Sequence, residues 1–133
     1  MAEVANTSGK RKEAVARCVV SEGSGRVRIN NVPIEILTPE IVRLKIMEPM
    51  VLAGDKASKV DVSVNVQGGG FMGQAEATRT AIAKGLVEFL KDEELERLFK
   101  DYDRSLLISD PRRKLPKKPL GRGARKKRQK SYR

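Results

Sequence analysis

The sequence predicts an α+β domain of about 100 residues followed by a basic tail. Four valines from Val60 to Val66 alternate with polar residues, which is the pattern of a half-buried strand. Apolar and small residues then recur at helical spacing from Gln74 to Leu90. Aliphatic residues become sparse after Pro111, and this change in composition marks the tail. We therefore expect a flexible N-terminus over residues 1–8, a globular domain over residues 9–108 and an extended basic tail over residues 109–133.

Strands and turns are predicted for the first part of the domain. Ala14–Val20 is rich in valine and is interrupted by a polar arginine, as expected for a strand. Arg26–Ile29 alternates charged and apolar residues. A turn at Ser21–Gly25 separates the two segments, so we expect them to pair as a hairpin. Ile34–Leu37 is expected to be a short extended piece.

The first helix is predicted from its start signals. Thr38 is a suitable capping residue, Pro39 suits the first helical position, and Glu40 favours the positive end of the helix dipole. The helix should run toward Glu48, and Pro49 should end or kink it because proline lacks the amide proton that a helix interior requires.

A glycine loop, two further helices and a final strand are predicted for the second part. The loop spans Gly68–Gly73 and leads into the helix from Gln74 to Leu90. A stripe of small residues at four-residue spacing should let this helix lie close to a sheet; it consists of Ala77, Ala81 and Gly85. Asp92 opens another short helix, and Leu106–Ile108 is expected to return to the sheet as a strand.

The distribution of charge indicates a polyanionic partner. The formal net charge is +11, from 28 Lys and Arg against 17 Asp and Glu. Residues 104–133 contain 13 of these bases and a single acid, Asp110, whereas residues 1–103 contain 15 bases and 16 acids. A terminal block of one sign points to a specific anionic partner more than to a general property of the protein.

The composition of the tail suits RNA. Its prolines favour extended chain, its two glycines permit close turns, and Lys and Arg together make up 12 of residues 111–133. Alone, such a segment cannot bury enough apolar area to become ordered. It can thread between RNA helices, and for about 6 to 10 phosphate contacts its affinity should fall by roughly 10³ to 10⁵ between 50 and 200 mM salt. The alternatives are a solvated basic tail and a nuclear localisation signal.

The glycine loop admits several interpretations. Gly68, Gly70 and Gly73 satisfy the G-x-G-x-x-G pattern of dinucleotide-binding proteins, but no second strand with an acidic residue follows at the required distance. Gly70–Gly73 also matches the G-x-x-G of KH domains, where the loop joins two helices. Free amide groups at a helix start attract phosphate, so RNA contact is the favoured interpretation. A tight turn without a ligand is the alternative.

The three bases Lys10, Arg11 and Lys12 form a second candidate phosphate site before the first predicted strand, beside a flexible Gly9. An ordinary solvated strand end is an equally good interpretation. The acids of residues 92–96 and 101–103 form no carboxylate pair in an evident pocket and are interpreted as helix surface.

The composition also excludes several classes of function. The absence of histidine removes the commonest general base and the usual metal-binding imidazoles, so we expect no enzyme, no metal site and no cofactor. Cys18 is the single cysteine, so no internal disulfide can form. No apolar run approaches the roughly 18 residues of a membrane span, and the first 30 residues lack a signal-peptide core. We expect a soluble cytoplasmic protein without a small-molecule substrate.

Three segments together resemble the small-subunit ribosomal protein nine family in its archaeal and eukaryotic form. They are GKRKEAVARCVV (9–20), VNVQGGGFMGQAEATRTAIAKGL (64–86) and SDPRRKLPKKPLGRGARKKRQKSYR (109–133). The resemblance implies a two-layer α/β domain like the second domain of ribosomal protein five, with a mixed sheet and a left-handed β-α-β crossover. The general preference for right-handed crossovers would have predicted the opposite hand.

The resemblance also implies partners and binding residues. The family lies in the head of the small subunit beside other head proteins, binds the large RNA of that subunit, and extends its tail to the peptidyl-site transfer RNA. Carried over by position, the transfer-RNA residues are Lys130, Tyr132 and Arg133, although Tyr132 stands where bacterial relatives have a basic residue. The expected ribosomal-RNA residues are Lys10, Arg11, Lys12, Gly68, Gly69, Gly70, Arg112, Arg113, Lys114, Lys117, Lys118, Arg122, Arg125, Lys126, Lys127 and Arg128.

Three other classes of function stay open from the residues alone. A generic RNA chaperone would bind DNA and RNA alike outside a defined particle. A nucleotide-dependent enzyme would use the glycine loop, and failure to bind free nucleotide would exclude it. A regulator would use the tail only as a targeting signal, and an unrelated basic signal would then replace it.

Overall fold

A computed structural model describes residues 3–127 and 129–132 of the chain, and this part contains five strands and three α-helices. The strands are β1 (Val4–Arg11), β2 (Ala14–Glu22), β3 (Val27–Ile29), β4 (Val32–Pro33) and β5 (Val60–Gln67). The α-helices are α1 (Glu40–Ala53), α2 (Phe71–Leu90) and α3 (Glu93–Tyr102). Short 3₁₀ turns lie at Ile34–Ile36, Gly54–Lys59 and Arg104–Leu106.

The strands form one mixed sheet in the order β1-β2-β5-β3-β4. The pairs β1–β2, β2–β5 and β3–β4 are antiparallel, and β3–β5 is parallel. Parallel neighbours require a crossover connection, and α1 supplies it between β3 and β5. The prediction of an α+β domain with a small mixed sheet is therefore confirmed.

One face of the sheet is covered by helices and the other is open. Burial alternates along β2 and β5, so every second side chain points into the core. The long helix α2 lies against β1 and β2, and its stripe of small residues allows the close approach that the sequence predicted: Ala77 and Ala81 are fully buried. A Cβ atom on Gly85 would lie only 2.6 Å from Cγ2 of Val20.

The first strand was missed by the sequence patterns. Residues 4–8 were expected to be flexible, but they form the first half of β1. Gly9 was expected to be a flexible residue and is instead buried beneath α2, where a Cβ atom would lie 2.2 Å from the carbonyl oxygen of Ala77. The inward positions of β1 are small, including Ala5 and Gly9, so this strand lacks the large apolar alternation that marks a strand in sequence.

The predicted pairing of Ala14–Val20 with Arg26–Ile29 as a hairpin is wrong. Strand β2 pairs with β1 through the two-residue turn Lys12–Glu13, and β5 inserts between β2 and β3. Segments that are close in sequence often pair as a hairpin. Here the valine-rich strand β5 takes the central position of the sheet, between β2 and β3, where its valines are buried.

The first helix differs from its prediction at both ends. Pro39, not Thr38, is the capping residue, and no side chain accepts a hydrogen bond at this helix start. The helix also continues through Pro49 to Ala53. Pro49 is buried together with Ile46 and Met50, so packing of this face against the core offsets the missing backbone hydrogen bond.

The remaining helices follow the sequence patterns with small shifts, whereas the extended piece expected at Ile34–Leu37 is instead a 3₁₀ turn over Ile34–Ile36. Helix α2 begins at Phe71, three residues before the expected Gln74. Asp92 caps α3 as predicted, because its Oδ1 accepts hydrogen bonds from the amides of Glu94 (3.0 Å) and Leu95 (3.4 Å). The strand expected at Leu106–Ile108 is absent: the chain forms a 3₁₀ turn instead, and Leu106 is buried through it.

Candidate nucleic-acid interface

The basic tail leaves the domain at Asp110, which is held by two arginines. Residue 110 forms a parallel bridge with Arg11 at the end of β1. The carboxylate accepts hydrogen bonds from Nε and Nη2 of Arg112 at 2.8 and 2.6 Å, and its Oδ2 lies 2.9 Å from Nη1 of Arg11. Hydrogen bonds from Arg112, with the nearby charge of Arg11, lower the pKa of Asp110 to about 2. The single acid of the C-terminal segment therefore fixes the starting point of the tail.

A second contact holds the next tail residue against the β1–β2 turn. Arg113 donates from Nη1 to Oε1 of Glu13 at 2.8 Å and from Nη2 to the carbonyl oxygen of Lys12 at 2.9 Å. These contacts join residues about one hundred positions apart in the chain. The first bases of the tail are thus engaged with the domain, and the later ones that the structure describes form no ion pair with it.

The three bases at the end of the first hairpin have different surroundings. Lys10 is exposed on the open face of the sheet, and Lys12 lies in the turn with a positive φ of 52°. The side chain of Arg11 is only 16% exposed, because its Nε contacts Glu76 at 2.6 Å and its Nη1 contacts Asp110. Lys10 and Lys12 are therefore presented to a ligand, while Arg11 links the domain to the tail.

The carboxylate of Glu76 forms ion pairs with two bases beneath this hairpin. Its Oε2 contacts Nε of Arg11 at 2.6 Å, and its Oε1 accepts a hydrogen bond from Nζ of Lys45 at 3.1 Å. Partial burial raises the pKa of Glu76, but the hydrogen bonds from Lys45 and Arg11 outweigh it, so the net shift is downward. A stable carboxylate at this point orients both bases.

The glycine loop lies directly beside the same hairpin. Gly68 and Gly69 have positive φ values of 77° and 66°, and a Cβ atom on Gly68 would lie 2.5 Å from the carbonyl oxygen of Glu13. Gly70 is the capping residue of α2, and this helix start has neither a side-chain cap nor an acid in its first turn. Its first amides are therefore free to bind an anion.

The sequence-predicted site parts meet at one end of the molecule. The β1–β2 turn, the glycine loop and the root of the tail are joined by the contacts of Glu13 with Gly68 and Arg113. The G-x-x-G segment joins β5 to α2, a strand to a helix, unlike the two helices that flank this motif in KH domains.

The tail beyond its root presents its bases to solvent. Residues 111–118 form neither helix nor strand, and the chain turns and bends at residues 119–125, so it is not extended throughout. Every Lys and Arg described between Lys114 and Lys127 is exposed and forms no ion pair with an acid that the structure describes. The bases are Lys114, Lys117, Lys118, Arg122, Arg125, Lys126 and Lys127.

The tip of the tail is partly outside the described residues. Lys130 and Tyr132 are exposed, with Tyr132 89% accessible. Arg128 and Arg133, which were also expected to bind RNA, lie outside the described residues.

A buried ion-pair network behind the site was missed by sequence reasoning. Arg79 of α2 is 6% exposed, its Nε lies 2.5 Å from Oε2 of Glu48 in α1, and its Nη2 lies 2.9 Å from Asp103. Partial burial raises the pKa of Asp103, but hydrogen bonds from Ser105 and Arg79 make the net shift downward. The available signal was that Arg79 lies four residues from both Ala75 and Ala83, on the apolar face of α2.

No group of three or more acids, cysteines or histidines is placed to hold a metal ion among residues 3–127 and 129–132. None of the described helices combines the length and the apolar composition needed to cross a membrane.

The fold and the charge together define a class: a small α+β domain from which a cationic chain emerges beside a helix start with free amides. Such an arrangement is typical of proteins that bind a polyanion. Comparison with known proteins narrows the class. Residues 9–133 match the family described as "Ribosomal protein S9/S16". The chain belongs to this ribosomal protein family.

Close relatives agree over nearly the whole chain. The protein of Thermoplasma volcanium named small ribosomal subunit protein uS9 is 61% identical over 127 residues, which cover 96% of each chain. Proteins of the same name from Picrophilus torridus and Methanothrix thermoacetophila are 55% and 54% identical, and the alignments cover 94% and 98% of this chain. The resemblance drawn from the three sequence segments is confirmed, and so is the prediction of a ribosomal protein that is not an enzyme.

Proposed function

We propose that the chain is a structural constituent of the small ribosomal subunit that binds the large RNA of that subunit in its head. The name that the relatives share supports the assignment to the small ribosomal subunit, and the geometry supports the mode of RNA binding. One observation carries the proposal: the root of the tail, the β1–β2 turn and the glycine loop share one end of the domain. A folded domain and a cationic chain are thereby directed at the same ligand.

The tail supplies most of the electrostatic affinity. Its bases from Lys114 to Lys127 are exposed and have no acidic partners among the described residues, so phosphate groups are their natural counterions. Contact with RNA releases condensed cations, and this gain offsets the entropy lost when the tail becomes ordered. The rooted start at Asp110 reduces that loss, because the first residues of the tail are already positioned.

The domain supplies orientation. Lys12 is exposed in the β1–β2 turn, which lies against the glycine loop, and the amides that follow Gly70 at the start of α2 are free. Bases and amides of this kind bind phosphate oxygens and fix the register of a protein on RNA. In this proposal the crossover β3–α1–β5 is left-handed, as in the second domain of ribosomal protein five.

The tip of the tail reaches the transfer RNA in the peptidyl site. Arg133 and Lys130 contact phosphate groups there, and Tyr132 stacks or donates a hydrogen bond. Neighbouring head proteins flank the domain in the assembled, cytoplasmic particle. This part of the proposal is derived from the family resemblance and from the cationic terminus.

Removal of residues 130–133 tests the transfer-RNA contact. Ribosomes with the shortened chain should assemble normally and hold peptidyl-site transfer RNA more weakly, as measured by filter binding. A matched control is Lys117→Gln/Lys118→Gln, which removes an equal number of positive charges, two, from the middle of the tail. Unchanged transfer-RNA affinity in the shortened chain, or an equal loss in the control, contradicts the contact.

Ultraviolet crosslinking in cells, followed by sequencing of the attached RNA, tests the ribosomal assignment. Discrete sites in small-subunit ribosomal RNA, with transfer RNA crosslinked to the tail, are the expected result. Crosslinks scattered over many RNAs would instead favour a generic RNA chaperone.

A further inference from the structure

The open face of the sheet carries an arrangement of cations that neither the tail nor the glycine loop uses. The strand register places Lys10 opposite Val15, Arg17 opposite both Ser8 and Asn65, and Arg28 opposite Ser63. All three bases are exposed, and each points away from the helical layer.

The three bases form a diagonal across four strands. Lys10 lies on β1, Arg17 lies two residues farther along on β2, and Arg28 lies a further two residues along on β3. With strands about 4.8 Å apart and about 3.3 Å of rise per residue, the diagonal spans roughly 20 Å. We name Lys10, Arg17 and Arg28 the sheet diagonal.

The sheet diagonal is electrostatically unbalanced. None of its three side chains forms an ion pair or a hydrogen bond with any group that the structure describes. The nearby acids are already engaged: Asp61 accepts the amides of Ser24 (2.8 Å) and Arg26 (3.0 Å), and Glu13 binds Arg113. Hydrogen bonds from those amides hold the pKa of Asp61 below its usual range. Asp61 therefore stays ionised near the start of β5, where backbone amides hold its carboxylate, and the three cations of the sheet diagonal outnumber it.

The residues between the bases indicate which form of RNA fits. The other outward positions of β1, β2 and β5 hold polar or valine side chains and no aromatic ring; they are Val4, Asn6, Ser8, Val15, Val19, Ser21, Asp61, Ser63, Asn65 and Gln67. Proteins that bind single-stranded RNA on a sheet stack its bases on aromatic side chains, which this face lacks. Short amides and hydroxyls suit the 2′-hydroxyls and phosphates of a wide, shallow minor groove.

We propose that the open sheet face is a second RNA-binding surface, which docks on the backbone of a double-stranded segment of the ribosomal RNA through Lys10, Arg17 and Arg28. The inference rests on the proposed function and extends it. In this proposal the end of the domain that carries the tail binds RNA outside the duplex. The sheet face binds the duplex through its backbone shape and not through its base sequence. The domain is then held on two sides.

Charge removal gives the first test. The variant Arg17→Gln/Arg28→Gln should bind full-length small-subunit ribosomal RNA on the order of 10- to 100-fold more weakly near 0.1 M salt, with a salt slope reduced by about two. The matched control Arg97→Gln/Lys100→Gln removes two exposed charges from α3 and should leave the affinity within about twofold. Equal affinities of the two variants would overturn the proposal.

Directed cleavage gives a test that does not depend on affinity. Burial raises the pKa of the native Cys18 thiol to about 12, so an iron chelate that reacts with thiolates will label an introduced cysteine instead. Ser63→Cys places the chelate between Arg17 and Arg28, and Val51→Cys places it on the helical side, where residue 51 is 72% exposed. Both labelled chains are assembled into small subunits.

The Ser63 probe should cut both strands of one RNA helix, and the Val51 probe should not cut that helix. Cuts confined to a single-stranded loop, or no cuts from Ser63 in a particle that contains the labelled chain, would overturn this inference alone. The second of those results is expected if a neighbouring protein covers the face. Failure of the unmodified chain to join the small subunit would overturn the proposed function and this inference with it.

Discussion

At the scale of single residues, the tightest constraint in the domain is the contact of Gly9 with α2. A Cβ atom at this position would lie 2.2 Å from the carbonyl oxygen of Ala77 and 2.8 Å from the amide nitrogen of Ala81. Both are backbone atoms, so no side-chain rotation relieves the overlap. The glycine permits β1 to approach the helix closely enough to close the edge of the core.

Gly9→Ala should therefore lower the free energy of unfolding by about 3 kcal/mol, since the helix must move away from the strand. Chemical denaturation followed by circular dichroism measures the change. Gly70→Ala is the control: nothing lies within 4 Å of its Cβ position, and its φ of −90° is ordinary for alanine. That variant should change stability by less than about 1 kcal/mol. Equal stability of the two variants would show that β1 and α2 are not in close contact.

The titration of Asp110 is a second property of a single residue. Its pKa of about 2 lies below its ordinary value of 3.8, because Arg112 and Arg11 stabilise the carboxylate. A depressed pKa in the folded state means that the carboxylate contributes stability above pH 4. That contribution is lost as the pH falls from about 4 through 2.

Carbon-13 NMR of the Asp110 carboxyl group should show a midpoint near pH 2. Arg112→Gln should raise that midpoint, since Arg112 is the main cause of the shift, whereas Arg97→Gln on the distant α3 should not. A midpoint at the ordinary value in the native chain would mean that the tail is not rooted at this carboxylate.

At the scale of secondary-structure elements, strong patterns were read correctly and weak ones were not. The valine alternation of β5, the small-residue stripe of α2 and the Asp92 cap each reflect local physics that survives in the fold. Strand β1 was missed because its inward residues are small. The general tendency of proline to end a helix placed the end of α1 too early. Pro49 is buried in the core, and this packing outweighs the loss of its backbone hydrogen bond.

The helical layer is joined by Arg79, which connects three elements. It contacts Glu48 in α1 at 2.5 Å and Asp103 before the last 3₁₀ turn at 2.9 Å, and its side chain is 8% exposed. Arg79→Met removes the bonds of a buried guanidinium, but the side chains of Glu48 and Asp103 are 33% and 41% exposed and can still be solvated. The substitution should therefore lower the free energy of unfolding by about 2 kcal/mol. Thermal or chemical denaturation provides the measurement.

An exposed ion pair gives the control for that prediction. Lys100 contacts Glu96 one turn away on α3, and its side chain is 58% exposed. Lys100→Met should cost no more than about 0.5 kcal/mol, because solvent screens such pairs. If both variants lose the same small amount, the buried network does not hold the helices together.

At the scale of the whole molecule, the distribution of charge along the sequence indicated the binding site better than the predicted helices and strands did. The basic tail and the glycine loop were visible in the sequence as composition and spacing. Their meeting with the β1–β2 turn required knowledge of β1 and of the sheet order, which no local pattern contains. The sheet diagonal was hidden for the same reason: Arg17 and Arg28 become neighbours on one face only once β5 lies between β2 and β3.

The RNA affinity that the strongly cationic tail contributes should depend on salt more steeply than the affinity that the near-neutral domain contributes. Residues 111–133 contain 12 of the 28 bases and no acid. A chain that ends at Asp110 keeps the domain and the sheet diagonal but loses most of its phosphate contacts. Its affinity for small-subunit ribosomal RNA should depend far less on salt, with a slope smaller by about 6 to 10 than that of the whole chain.

Filter binding between 50 and 200 mM salt measures both slopes. A chain in which every tail arginine is replaced by lysine keeps the charge and serves as the control, so its slope should match that of the native protein. A lower affinity at an unchanged slope in that control would assign a share of binding to the planar guanidinium groups. Equal slopes for the native and shortened chains would instead place the phosphate contacts on the domain and leave the tail without its proposed role.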